Sequence, residues 1–229
     1  MTAFSQLSGT IAERIDQVRE TLPETVRLIA VTKQVSIEAM RTAYASGVRD
    51  FAESRVQEAE AKQAQLCDLT DITWHLIGHL QSNKAQKALE CFQWLHSIDD
   101  LKLAQRLDRL AAPLPQKPKS LLQVKLLPDP TKHGWAVEDL LDDLSTLNQC
   151  KNLSIQGLMT ILPYGLPASE ASAAFQKTAV LANTIQQQNL PYLQMHTLSM
   201  GMSNDYALAV QAGATMIRLG RILFGDRPT

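Results

Sequence analysis

The 229 residues are 45% hydrophobic and 20% charged, with 22 basic side chains against 23 acidic ones. A chain of this size buries its own core without staples, and its near-neutral balance gives no drive toward nucleic acid or a membrane surface. Three scattered cysteines, Cys67, Cys91 and Cys150, fit the reduced thiols of a cytoplasmic protein better than a disulfide frame, and no apolar run approaches the roughly 18 residues of a membrane span.

The first expected element is a helix. Phe4, Leu7, Ile11, Ile15, Val18 and Leu22 recur at steps of three and four, leaving Glu13, Arg14, Asp16, Gln17 and Glu20 on the wet side. After Pro23, short apolar runs alternate with amphipathic stretches. Strands are expected near 28–33, 48–52, 72–78, 93–98, 120–126, 153–160, 193–199 and 215–220, and helices over 36–46, 54–66, 83–91, 99–111, 136–149, 168–189 and 203–212. Gly47, Gly157, Gly201, Gly213 and Gly220 stand at or beside junctions, while Pro128, Pro130, Pro163 and Pro167 mark loops.

Strands separated by helices imply a parallel sheet, because parallel neighbours need crossover connections. Eight of them in about 200 residues is the count for a closed (β/α)8 barrel, with an open doubly wound sheet as the competitor. The run from Pro113 to Pro118 reads as a rigid loop and no internal repeat is visible, so residues 1–229 form one α/β barrel domain with an extra N-terminal helix.

Three features carry chemistry. Lys33 ends the first expected strand, where a barrel presents its active-site side chains. A lysine leaving the core for solvent is the plain alternative. Ser199-Met200-Gly201-Met202-Ser203 ends the seventh strand in a glycine turn, with Ser203 placed to cap the next helix. The eighth strand runs through Arg218 into Gly220-Arg221. Barrels often hold phosphate with these two loops, although each segment alone also fits an ordinary cap or strand end.

Arg218 lies inside an otherwise apolar strand and needs a partner: a carboxylate across the barrel, or a ligand. A lysine amine and a phosphate cradle are the two halves of a pyridoxal 5'-phosphate (PLP) site. An arginine against the ring nitrogen would only donate, leaving that nitrogen unprotonated and the ring a weaker electron sink.

His75 and His79 invite a metal reading, but four strand residues span about 13 Å, too far for a shared ion, so no metal is expected there. Trp74 reads as core, and His79 and Asn83 as possible mouth residues. Lys132 and His133 follow the fifth strand and could border the site. Asp99-Asp100 and Asp142-Asp143 read as solvated faces or caps. No Ser/His/Asp order, Walker loop or Rossmann fingerprint occurs.

Over nearly its full length the chain resembles the PLP homeostasis protein family. The carrying strings are Ala30-Val31-Thr32-Lys33, Asp50 through Glu58, Trp74 through Lys84, Leu198 through Ser203 and Ile217 through Gly225. The resemblance implies a barrel like the N-terminal domain of alanine racemase, with PLP on Lys33 as an internal aldimine. It places Ser199, Gly201, Ser203, Gly220 and Arg221 at the phosphate and Arg218 at the ring nitrogen.

It further implies a carrier or regulator that keeps free PLP low, without established turnover. A weak racemase is the alternative, and a barrel for another phosphorylated ligand a third reading. Ser54 stands where many members have asparagine, and Arg221 where a small residue, often threonine, is usual. With Thr229 only nine residues beyond Gly220, no second domain is expected to cover the ring. A monomer that passes PLP to apo-enzymes is the expected working form.

Overall fold

A computed structural model of the chain describes residues 7–129 and 131–225. Expectations that rest on Phe4 and Pro130 lie outside the described residues. Strands β1 (Arg27–Val31), β2 (Asp50–Glu53), β3 (Thr73–Leu76), β4 (Trp94–Ile98), β5 (Lys119–Gln123), β6 (Ser154–Met159), β7 (Leu193–Ser199) and β8 (Met216–Leu219) pair in parallel, each with the next. β8 then returns to β1 in the register Arg27↔Met216 through Ala30↔Leu219, so the sheet closes and the open-sheet alternative falls.

The helices are α1 (Ile11–Glu20), α2 (Ile37–Ala45), α3 (Val56–Gln65), α4 (Ala85–Cys91), α5 (Leu101–Ala111), α6 (Val137–Leu147), α7 (Ala168–Gln186), α8 (Tyr206–Gln211) and α9 (Arg221–Phe224), with a 3-10 turn at Ser82–Lys84.

Alternation along the strands sorts the apolar side chains into two layers. Ile29, Val31, Ala52, Trp94, Leu121, Met159 and Met216 fill the barrel interior. Ala30, Phe51, Leu76, Leu95, Leu122, Leu158 and Ile217 point outward and pack under the helices, with Trp74 among them as expected. α5 shows the logic of the outer ring. The Asp100 side chain accepts from the Leu103 N–H and starts the helix, and Leu103, Leu107 and Ala111 bury one stripe.

Several boundaries differ from expectation. α1 begins at Ile11 and leaves out Leu7, because Thr10 and Glu13 form a capping box that starts the helix there. β1 ends at Val31, so Lys33 sits in the following turn rather than on the strand. α8 begins at Tyr206 rather than near Ser203, and α9 was not anticipated. The eight strands and the seven helices that separate them fall where the periodicity puts them.

Candidate functional site

Ile29 and Val31 face the interior, and Lys33 is the next residue of that spacing, half-buried at the C-terminal end of β1. Its turn is held by a cluster on the outer side of the sheet. Thr32 is fully buried and its hydroxyl donates to Glu53 Oε1 at 2.6 Å. Lys62, on α3, donates to the Thr32 carbonyl at 2.6 Å, to Glu53 at 2.9 Å and to Glu58 at 2.8 Å. Glu58 also accepts from the N–H of Gln34, whose φ is +62°.

Burial pushes the Glu53 carboxyl up, against the pull of Thr32 and Lys62. Burial acts the same way on Glu58, but Lys62 and the Gln34 amide outweigh it and hold that carboxyl low. Sequence patterns alone assign no role to Glu53, Glu58 or Lys62. The Glu58–Lys62 spacing was visible, but it reads as a surface pair on a helix.

Arg218 projects from β8 among interior residues and is 3% exposed. It donates to the Ser199 hydroxyl at 2.6 Å and to the Thr160 carbonyl at 2.8 Å. Among the described residues it makes no ion pair. Burial lowers its pKa to about 10, with Asp205 opposing from a distance, so it stays charged at neutral pH.

Beyond Ser199 a buried chain of hydrogen bonds continues. His96 Nδ1 lies 2.8 Å from Ser199 Oγ, His96 Nε2 lies 2.9 Å from His75 Nδ1, and His75 Nε2 lies 2.8 Å from Asp50 Oδ1. Burial keeps both imidazoles neutral. Only one polarity then satisfies every atom: Arg218 donates to Ser199, Ser199 to His96, His96 to His75, and His75 to Asp50. The Ser199 hydroxyl is therefore turned into the barrel and taken up in orienting Arg218. His96 was missed because four residues spread from Asp50 to Ser199 show no local spacing.

The loops after β7 and β8 meet at the rim. Ser203 does not cap α8; its hydroxyl accepts from the Ile222 N–H of α9 at 3.3 Å. Asp205 takes over the local turn by accepting from the Met202 N–H at 2.6 Å. Gly201 has φ +93°, and a Cβ there would lie 2.6 Å from Ala209 Cβ. Gly220 lies against Val31, which brings this rim beside the Lys33 turn. Among the described residues the N–H groups of Ser203, Asn204 and Arg221 have no protein acceptor. The Arg221 side chain is exposed.

Around the mouth, His79 Nδ1 donates to Asp99 Oδ2 at 2.5 Å, and His133 stacks on His79. Asp99 is buried rather than solvated, contrary to expectation, whereas Asp100 caps α5 as anticipated. Asp143 accepts from the Trp135 indole. Asn83 lies in the exposed 3-10 turn and Lys132 is half-buried in the loop after β5.

The family model for the alanine racemase N-terminal domain matches residues 8–228. A PLP homeostasis protein of Synechocystis is 53% identical over 211 residues, covering 92% of this chain and 96% of that one. One from Pseudomonas aeruginosa is 41% identical, covering 99% and 97%. The chain belongs to the PLP homeostasis proteins of the alanine racemase N-terminal domain family.

The solved structure of the family member PipY from Synechococcus elongatus with PLP bound superposes with a TM-score of 0.90 at 54% identity, over 94% of this chain and all of that one. An alanine racemase from Clostridium difficile, 14% identical, shares the fold at a TM-score of 0.76, and the match covers 60% of its length.

Proposed function

We propose that the barrel mouth binds PLP and that this single domain acts in PLP homeostasis as a carrier and regulator rather than a catalyst. The names of the relatives and the PLP-bound PipY support the ligand. In this reading Lys33 supplies the amine, Arg218 meets the ring nitrogen with Ser199 orienting it, and Gly201, Ser203, Gly220 and Arg221 hold the phosphate.

The residues fit that ligand on their own chemistry. One observation carries most of the weight: Arg218 is a buried guanidinium beside the mouth with no carboxylate partner among the described residues, an arrangement that is costly unless a further acceptor arrives. Among the described residues the amides of Ser203, Asn204 and Arg221 lack acceptors on the same rim, as a phosphate site requires.

When bound, PLP supplies an aldehyde that condenses with a primary amine and releases water. The protein's residues do the rest. The Thr32–Glu53–Lys62–Glu58 cluster fixes the turn that carries Lys33. Arg218 stays protonated at neutral pH and can only donate, so a ring nitrogen held against it would remain unprotonated. That favours holding the cofactor over stabilising carbanions.

The recipients in this reading are apo-enzymes that use PLP, and the carrier works as a cytoplasmic monomer. Among the described residues no helix is long and apolar enough to cross a membrane.

The test is spectroscopic. Purified protein with PLP should show a yellow chromophore, and borohydride should fix the cofactor on a peptide containing Lys33. Lys33→Ala should lose both. An adduct mapped to another lysine sinks the assignment. PLP-loaded protein should reactivate an apo-enzyme at least as well as equal free PLP and should not racemise alanine; steady turnover would favour the weak racemase.

A further inference from the structure

We propose that His79, Asp99 and His133 form a binding site for a divalent metal of the zinc type at the mouth of the barrel. Their ligand atoms all lie within 4.8 Å of one another. His79 Nδ1 is 2.5 Å and His133 Nδ1 3.7 Å from the same carboxylate oxygen, Asp99 Oδ2. The two imidazoles stack with centroids 3.8 Å apart and planes 11° from parallel. A metal with bonds of about 2.0–2.2 Å spaces its ligand atoms about 3.3 Å apart, within the span of these three donors, and the two imidazoles turn out of their stack to aim both lone pairs at one ion.

A separate observation points to a missing partner. The Asp99 side chain is 2% exposed, and its Oδ1 is buried with no hydrogen-bond partner among the described residues. A carboxylate in that setting needs positive charge or donors beyond the single short contact to His79. A cation bound at Asp99 provides it.

The three side chains come from different strand ends, yet each loop is tied down. Ser97 donates to the carbonyl of Gly78, which fixes the chain entering His79. The Gln123 side chain donates at 2.8 Å to the carbonyl of His133 itself. Asp99 directly follows β4. The donors are thus held by rigid elements, as a metal site requires.

Two imidazoles and one carboxylate select a borderline transition metal over magnesium or calcium, which prefer all-oxygen sets. Three protein ligands leave at least one position for water or an anion. The His79 and His133 side chains are 40% and 58% exposed, so the ion is reachable from solvent. Among the described residues no second group fixes either ring's Nε2, which places the affinity below that of buried structural zinc. The site shares no residue with the proposed PLP machinery, so either assignment stands without the other.

Titration with Zn²⁺ and with Co²⁺ tests the site, using PLP-loaded and PLP-free protein that carries Cys67→Ser to remove the exposed thiol. One ion per chain is expected, with Co²⁺ giving the visible bands of nitrogen–oxygen coordination. His79→Gln and His133→Gln should each weaken binding at least about ten-fold, and Asp99→Asn should do the same. The exposed His133 keeps the test valid should the Asp99 variant fail to fold. Affinity unchanged in His133→Gln, or no binding beyond that of the His79→Gln/His133→Gln double variant, overturns the proposal.

Discussion

At the scale of single residues, the sequence shows where an amine stands but not what holds it. Lys33 was legible because it closes an apolar run. Lys62 was not, since a lysine in a helix rich in alanine, glutamine and glutamate looks solvated. Yet Lys62 is 7% exposed and bonds Thr32, Glu53 and Glu58 beneath the Lys33 turn. Replacing it with methionine keeps the volume but strands the Glu53 carboxylate, whose Oε2 already lacks a partner among the described residues. Removing one member of a buried pair costs about 3–5 kcal/mol. Lys62→Met should lose stability on that scale in denaturant unfolding, and retained protein should bind PLP more weakly because the Thr32 carbonyl loses its donor and Glu58, which accepts from the Gln34 N–H, loses its cation. A loss below about 1 kcal/mol would mean the cluster is ornamental.

At the scale of elements, the alternation of periods fixed the number and order of strands, while the ends escaped it. Thr10 and Glu13 carried a capping box in plain view, but the apolar steps from Phe4 and Leu7 masked it. Ser203 looked like the cap of α8, yet its hydroxyl serves the Ile222 amide across the rim, a contact 19 residues away that no local pattern reveals.

Gly201 is the element-level lesson that did read correctly as a turn. Its φ of +93° disfavours any side chain, and an added methyl meets Ala209 and Tyr206 on α8. Gly201→Ala should destabilise the chain by about 1–3 kcal/mol and weaken PLP binding, because moving α8 relocates the β7 loop. Fluorescence titration with PLP, alongside thermal unfolding, separates the two effects; unchanged affinity would remove Gly201 from the phosphate loop.

At the scale of the whole molecule, closing the barrel places polar side chains from five strands along one line through its interior, from buried Arg218 to part-exposed Asp50. The line from Arg218 through Ser199, His96 and His75 to Asp50 joins residues up to 168 positions apart, with Arg27 a further 3.3 Å from Asp50. Such a chain is invisible to periodicity, and it makes stability depend on pH. Both imidazoles titrate below their ordinary value, first because they are buried. Asp50 opposes this at His75, whereas His75, Arg218 and Arg27 reinforce it at His96.

In the unfolded chain each histidine titrates near about 6.5, so below that pH the unfolded state holds more protons than the folded one. The stabilisation is full above that value and is lost as pH falls toward the depressed folded values. Between pH 7.5 and 5.5 the unfolding free energy should drop by roughly 1.4 kcal/mol for each imidazole that stays neutral. Urea unfolding at the two pH values measures it, and the His75→Gln/His96→Gln double variant should show a correspondingly smaller drop. An equal drop in both proteins would mean the two imidazoles are not held neutral, and the single polarity of the chain would fall with that result.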